Sequence, residues 1–529
     1  MERIRLRPLV LAAALGAVSL VPMTASSVFA KDANHEIASG PRLTYRQVMP
    51  SLLPNSKENT SVIAQNNGNA PATIVMDVYT PAGVAIPSAS VPYTNVPPGA
   101  TRVFAQAVNT GLVQGFRGVG VLSSDQPINA LLVRDIEQAG TGKKSYSIHN
   151  AYATGGAKIT LPYVANNLAG TYQTRFAIAN TGSATACVTI TYAFPGGSQA
   201  PFVDNGPGGG GCANGYPVPV NGQVSFAPTA VDGALPMPGA TAGALMAATV
   251  NATGAPVTVA VDAYLSSGLR KLASYDGFVV DADPNSTTDD VGKNIIVPIA
   301  LKTDGFYSQI LLSNPGGSAA SATITYKGSS GGTYTVSLSV PANGTASHSV
   351  YEASGGVPEG FVGSASITSD QPLAAVVFRS KMTSAGSFVD EDLYTAANGI
   401  PTDRATTTAK LPLIFRRAYK SGSSSGYNTW VSVATADGST ANVTLTSIND
   451  TSNSAPNCSA AATYTATKAV VGSFVFYQNL DSDNGFGQAP GCFWGGMTIT
   501  SDKPIIAIAD ATNDLNLGDN DGLYNAFGS

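Results

Sequence analysis

The chain has 529 residues, a formal net charge of −5 and only 12% charged side chains, roughly half the fraction usual in soluble proteins. A mildly acidic, charge-poor surface argues against nucleic acid or anionic lipid as a partner. Gly, Ser, Thr, Ala and Asn fill the gap, a composition that fits an extracellular all-β protein with several cores and not a cytosolic enzyme.

Arg3, Arg5 and Arg7 form a basic stretch ahead of a short apolar core, Leu9 to Val21. Val28 and Ala30 are the small residues a signal peptidase needs, so residues 1–30 read as a signal peptide cut before Lys31. The apolar core is too short for a membrane anchor, and no Cys follows it to carry a lipid. The mature chain is expected to be secreted or held at the extracellular cell surface, with no membrane insertion. Residues 31–43 form a mostly polar leader containing Pro41.

Four repeats follow, over residues 44–155, 156–290, 291–403 and 404–529. Each opens on a strand marked by proline: Met49-Pro50, Leu161-Pro162, Val297-Pro298 and Leu411-Pro412. A first hairpin is predicted next. Asn66 to Gly68 leads into Thr73–Tyr79, Asn180-Thr181-Gly182 into Cys187–Tyr192, Asn314-Pro315-Gly316 into Ala322–Tyr326, and Ala436-Asp437-Gly438 into Val443–Thr446. Asn and Gly supply the positive φ of tight turns. Runs such as Val188-Thr189-Ile190-Thr191-Tyr192 alternate with period two.

A Val-Pro turn follows in three repeats: Val96-Pro97-Pro98-Gly99, Val218 to Gly222 and Val340 to Gly344, with a looser Val470-Val471-Gly472 in the fourth. Then comes the clearest repeat. Gly360 to Phe378 reads as a hairpin, with Ser369-Asp370-Gln371-Pro372 as its turn. The Ser369 hydroxyl suits the Gln371 amide, and Pro372 suits the first position of a strand. Gly115–Val133 and Gly495–Ala509 repeat it, and Gly243–Val261 is a weaker copy turning at Thr253 to Pro256. Each repeat closes on a tyrosine: Tyr146, Tyr275, Tyr394 and Tyr524.

About seven strands per repeat, with turn signals every 8–12 residues, predict four tandem immunoglobulin-like β-sandwich domains. A propeller is the competing all-β fold, but its blades are far shorter than these units.

The order of these motifs resembles a tandem sandwich repeat of large secreted and cell-surface bacterial proteins. The resemblance covers about residues 44–529. It implies surface display and a binding or structural role, and it carries no catalytic residues. The second repeat departs most, with a Gly-rich insert, Asn205 to Gly211, and Thr-Gly-Ala-Pro in place of Ser-Asp-Gln-Pro.

Four cysteines fall two and two into the second and fourth repeats, and in a secreted chain they predict the disulfides Cys187–Cys212 and Cys458–Cys492. Free buried thiols are the alternative. Neither pair has zinc-site spacing.

Carboxylates gather at the joins: Asp281, Asp283, Asp289 and Asp290, then Asp390, Glu391, Asp392 and Asp403. Such oxygen ligands suit Ca²⁺ stiffening a rod of domains, and solvated linker acid is the plainer reading. The fourth repeat adds Asp481, Asp483, Asp514, Asp519 and Asp521. No organic cofactor is expected.

Catalytic signals are weak. His35, His149 and His348 read as ordinary surface or strand histidines. Gly422-Ser-Ser-Ser-Gly426 matches the G-x-S-x-G pattern but lacks the strand and helix that a nucleophile elbow requires. Asn205 to Gly211 lacks the Lys-Ser/Thr of a phosphate loop. The only tryptophans, Trp430 and Trp494, are core candidates first and sugar platforms second. The expected function is therefore a non-enzymatic structural or adhesive surface protein that self-associates or binds cell-surface components. A carbohydrate- or ligand-binding module array is the alternative.

Overall fold

A computed structural model describes residues 45–528 apart from 53–57, 138–142, 195–199, 229–232, 238–242, 266–270, 281–288, 353, 382–393, 420–425, 450–462, 479–491, 514–516 and 520. The predicted signal peptide and leader lie outside the described residues. The described chain is all-β, with several sheets and no α-helix among those residues.

The first repeat shows the pattern. Its strands are β1 (Tyr45–Leu52), β2 (Glu58–Asn66), β3 (Ala72–Tyr79), β4 (Val91–Val96), β5 (Thr101–Ala105), β6 (Gly118–Ser124), β7 (Ile128–Glu137) and β8 (Lys143–Asn150). They form two sheets, ordered β1-β6-β3-β4 and β8-β7-β2-β5.

This order corrects the predicted hairpins. β2 and β3 lie in different sheets, as do β4 and β5, and β6 and β7; the sequential pairs that do bond are β3–β4 and β7–β8. Asn-Gly and Ser-Asp-Gln-Pro are therefore corners at which the chain leaves one sheet for the other. The local chemistry is as expected: the amides of Gln126, Gln371 and Lys503 donate to the hydroxyls of Ser124, Ser369 and Ser501 at 3.2–3.3 Å. Turn chemistry bends a chain without choosing the partner of the strand that follows. In the third and fourth repeats the bend is so shallow that Phe361–Lys381 and Phe493–Asn513 each run as one 21-residue strand. The first part of Phe361–Lys381 pairs with Ala320–Gly328, and the last part with Phe306–Ser313.

The motif aspartate ties this corner to a neighbouring strand. Asp125, Asp370 and Asp502 accept from the amides of Thr73, Ser321 and Asn442 at 2.7–2.9 Å. The loop asparagines act through their side chains and not through φ. Buried Asn66, Asn180 and Asn314 each donate to two carbonyls and accept from the amide two residues on. Positive φ occurs instead at Asn221 and Asn343 of the Val-Pro turns. The opening prolines sit at irregularities of the ladder, where the register shifts between Met49 and Leu52, Leu161 and Val164, Val297 and Ala300, and Leu411 and Ile414. A bulge needs no ladder donor from the residue it extrudes, so proline is tolerated inside the sheet.

The four repeats close into a ring instead of stringing out as a rod. Val48, Val119 and Val121 pack on Ala179 between repeats one and two. Leu311, Val376, Phe378 and Tyr394 of the third repeat share a core with Tyr163, Val259 and Tyr275 of the second. Ile508 and Leu523 of the fourth join the core of the third. The circle closes where Ile63, Val133, Tyr146 and Ile148 pack against Leu411, Phe415 and Trp494. Leu517–Asp519 also pairs in parallel with the start of β8.

Cys187 and Cys212 form a disulfide, with Cα atoms 5.5 Å apart and a sequence separation of 25. Cys492 is buried, and Cys458 lies outside the described residues. A loop of this length corresponds to about 3 kcal/mol in the chain-entropy model. Because repeats two and three share one core, reduction is expected to lower the melting of both, read by calorimetry with and without reductant. A loss confined to the second repeat would show that the shared core does not couple them.

Candidate functional site

The ring has a built centre. Four strands meet there: β8, Leu272–Asp276, Tyr394–Asn398 and Asp521–Asn525, each against the next. They carry Asn150, Asp276, Asn398 and Asn525 into a cycle of side chain-to-backbone pairs. Asn150 donates to the Asn525 carbonyl (2.8 Å) and accepts its amide (3.3 Å). Asn525 does the same to Asn398 (2.8 and 3.2 Å), and Asn398 to Asp276 (2.8 and 3.0 Å). Asp276 accepts the Asn150 amide at 3.3 Å and completes the circle. A carboxylate cannot donate, so its other oxygen takes the Tyr152 hydroxyl (2.7 Å) and His149 Nδ1 (3.2 Å).

The closing tyrosines are not equivalent around this cycle. Tyr275 and Tyr524 immediately precede Asp276 and Asn525 and pair with Val261 and Ala509. Tyr146 and Tyr394 lie further up their strands and pair with Asp135 and Ser380. An aromatic residue is easy to see in sequence, but the position that makes the junction is the Asn/Asp.

Two buried charge clusters flank the cycle. Between repeats one and two, Arg134 is ion-paired to Asp262, whose other oxygen takes His149 Nε2 and the Ser274 hydroxyl, both at 3.0 Å. Burial alone would lower the His149 pKa. The hydrogen bonds to Asp262 and Asp276, with their charge, outweigh it and push the pKa up to about 9. With a carboxylate at each ring nitrogen, the imidazolium satisfies both. Burial would raise the Asp262 pKa, but Arg134 and His149 hold it well below the usual carboxylate range.

Between repeats three and four, fully buried Arg379 pairs with Asp510 and, at 2.6 Å, with Asp521. Its guanidinium also lies over the rings of Phe306 (5.3 Å) and Trp430 (5.8 Å). Two carboxylates share one cation. Burial, then the Asp510 charge, raises the Asp521 pKa to about 7 against the pull of Arg379. Asp519 ties the fourth repeat to two others, accepting the amides of Leu272 (2.7 Å) and Tyr394 (2.8 Å).

A signal for these residues lies in the sequence outside the turns. Arg134 and Arg379 stand seven residues after the corner prolines Pro127 and Pro372. Asp262 and Asp510 stand six after Pro256 and Pro504. Arginine in the odd repeats and aspartate in the even ones, each inside an apolar strand, is a pairing code between neighbours.

Other candidates are placed as follows. His149 is in the first cluster and not on the surface. His348 is buried, with Nδ1 2.8 Å from the Tyr326 hydroxyl and Nε2 2.9 Å from the Ser354 carbonyl. Trp494 is a core residue, and Trp430 packs edge-on to Tyr477 and Phe306. Of the proposed calcium ligands, Asp281, Asp283, Asp390, Glu391 and Asp392 lie outside the described residues. Asp289 gives its carbonyl to Arg404 (2.8 Å), and Asp290 accepts the Val279 amide (3.0 Å). Among the described residues no group of three or more His, Cys, Asp or Glu is arranged to hold a metal. No helix among them is long and apolar enough to cross a membrane.

No family model and no curated protein matches the chain. Among solved structures it is similar to one described as the tetra-tandem repeat in the extending region of a large adhesion protein. That similarity is 12% identity over 91% of this chain and 97% of the other, with a TM-score of 0.11. At that score the likeness carries no argument about this chain.

Proposed function

We propose that this is a secreted, non-enzymatic structural or adhesive protein of the cell surface, built from four immunoglobulin-like β-sandwich units. The observation behind this reading is where the chain places its buried charges. Arg134, His149, Asp262, Arg379, Asp510, Asp519 and Asp521 are engaged between repeats, where they lock a scaffold. The packing of Trp430 and Trp494 favours this scaffold over a sugar-binding array, which needs exposed aromatic platforms. Exposed edges such as Thr333–Val340 and Thr463–Val471, each bonded to a neighbour on one side, are templates for a further strand. Residues 31–43 are our candidate for that strand in a neighbouring molecule.

Sedimentation of the mature chain over a concentration range, with and without Ca²⁺, tests this. Self-association that weakens when residues 31–43 are deleted supports the reading. A chain that stays monomeric under every condition and is recovered only from the medium rules out the assembling-scaffold role.

A further inference from the structure

The two arginine–aspartate junctions share one frame and fill it differently. Cross-strand register sets Thr60, Arg134 and Ser147 in one row on the first repeat, and Arg175, Asp262 and Ser274 in one row on the second. The matching rows of repeats three and four are Ser308, Arg379 and Thr395, and Trp430, Asp510 and Leu523. At both junctions the arginine Nη1 donates to the aspartate and joins the rows. Two positions differ. Asp521, which accepts from Arg379 Nη2 at 2.6 Å, pairs with Thr512, two residues beyond Asp510. Its counterpart, paired with Tyr264 two residues beyond Asp262, is Leu272, whose buried side chain has no acceptor. The second difference is Arg175, a cation at the row position where Trp430 lays its ring against the guanidinium.

Arg134 is 4% exposed, and its Nε and Nη2 have no hydrogen-bond partner among the described residues. These two N–H groups lie side by side on one edge of the planar guanidinium, the fork that holds two oxygens of an oxyanion at once. Buried donors left without an acceptor are costly. The buried Ser147 hydroxyl, beside Arg134 in its row, also has no partner among the described residues. The surroundings favour negative charge. Arg117, Arg134 and Arg175 gather around Glu58 and Asp262, and His149 and Asp276 add one charge of each sign. Burial and the charges of Arg117 and Arg134 push the Arg175 pKa down to about 10. Arg117 and Arg175 are only half-buried, so the cluster reaches solvent on their side.

We propose that a small inorganic oxyanion, sulfate or phosphate, binds the Nε/Nη2 edge of Arg134 between repeats one and two, with Arg175 as a second cation and the Ser147 hydroxyl as a further donor. The anion supplies to Arg134 the second negative group that Asp521 supplies to Arg379. The chain thus shows within itself what completes such a junction: one arginine held by two acidic groups, the second of which the first junction lacks. The inference does not depend on the scaffold role, because it concerns a single junction of a single molecule.

The test titrates the full mature chain with sodium sulfate and with sodium phosphate by calorimetry, at constant chloride in a buffer free of both anions. At least one of them is expected to bind at one site per chain with a dissociation constant of about 1 mM or tighter, the worth of a few charge-assisted hydrogen bonds. Arg175→Gln should weaken this binding about tenfold or more. Leu272→Asp should abolish it by setting a carboxylate where Asp521 stands at the other junction. Lys503→Gln, at an exposed corner of the fourth repeat, should leave it unchanged, which separates this site from general attraction of anions to the surface. The Arg175 variant decides the matter even if the Leu272 variant loses its fold. Absence of saturable binding by either anion, undiminished binding in R175Q, or retained binding in folded L272D overturns the proposal.

Discussion

Replacing Arg379 by Met is expected to lower the unfolding free energy by about 3–5 kcal/mol, the cost of leaving buried charge without its partner. Asp510 and Asp521 would face each other with no cation between them, and neither reaches water: the side chains are 1% and 3% exposed. Protonation relieves part of this, so the loss should be smaller at pH 5 than at pH 8. The triple variant Arg379→Met, Asp510→Asn, Asp521→Asn removes charge on both sides and is expected to recover most of the stability. Urea denaturation of the three proteins measures both effects. If the single variant unfolds like the parent at pH 8, the cluster is not what holds repeats three and four together.

Raising the pH through 7 to 9 is expected to destabilise the ring progressively. His149 has a folded pKa of about 9, above its ordinary value near 6.5. A raised pKa means that the folded state binds the proton more tightly. The contribution is fully present below the unfolded pKa and is lost as pH rises through the folded one. For His149 the window runs from about 6.5 to about 9, and the shift amounts to roughly 3 kcal/mol. Asp521 acts in the same direction. Its pKa is raised to about 7, so the stability that its proton contributes is lost as pH rises towards and through 7. Asp262 has the opposite sign: its depressed pKa contributes above the ordinary aspartate range and is lost only in strong acid. Melting curves from pH 5 to 9.5 should therefore show a falling alkaline limb. His149→Gln should melt lower than the parent at pH 6 and fall less steeply between pH 7 and 9. Parallel curves for the two proteins would mean that His149 does not carry the titration.

The primary structure alone determines that this chain is an all-β repeat. Period-two alternation, the Asn-Gly and Ser-Asp-Gln-Pro segments and the marked prolines are local, and their physics is local too. A hydroxyl two residues before an amide caps a turn wherever it occurs, as Ser124, Ser369 and Ser501 do. The pairing of Cys187 with Cys212 was legible for a similar reason, being a short loop within one repeat.

Which strand a turn delivers to which sheet was not legible. β6 and β7 look like a hairpin because the chain bends between them, yet each finds its partners elsewhere, and those partners are settled by which faces can be buried together. The centre of the ring was legible in composition and illegible in geometry. Arg134, Asp262, Arg379 and Asp510 stand out as charges in apolar strands, but only closure of the four repeats shows that each arginine meets an aspartate of the next. The same closure turns Asp519 and Asp521 from acids in a stretch that reads as surface into ties between repeats. A residue's type is written in the chain; whether its charge meets water or another charge depends on contacts hundreds of residues apart in sequence, and the tertiary structure alone decides that.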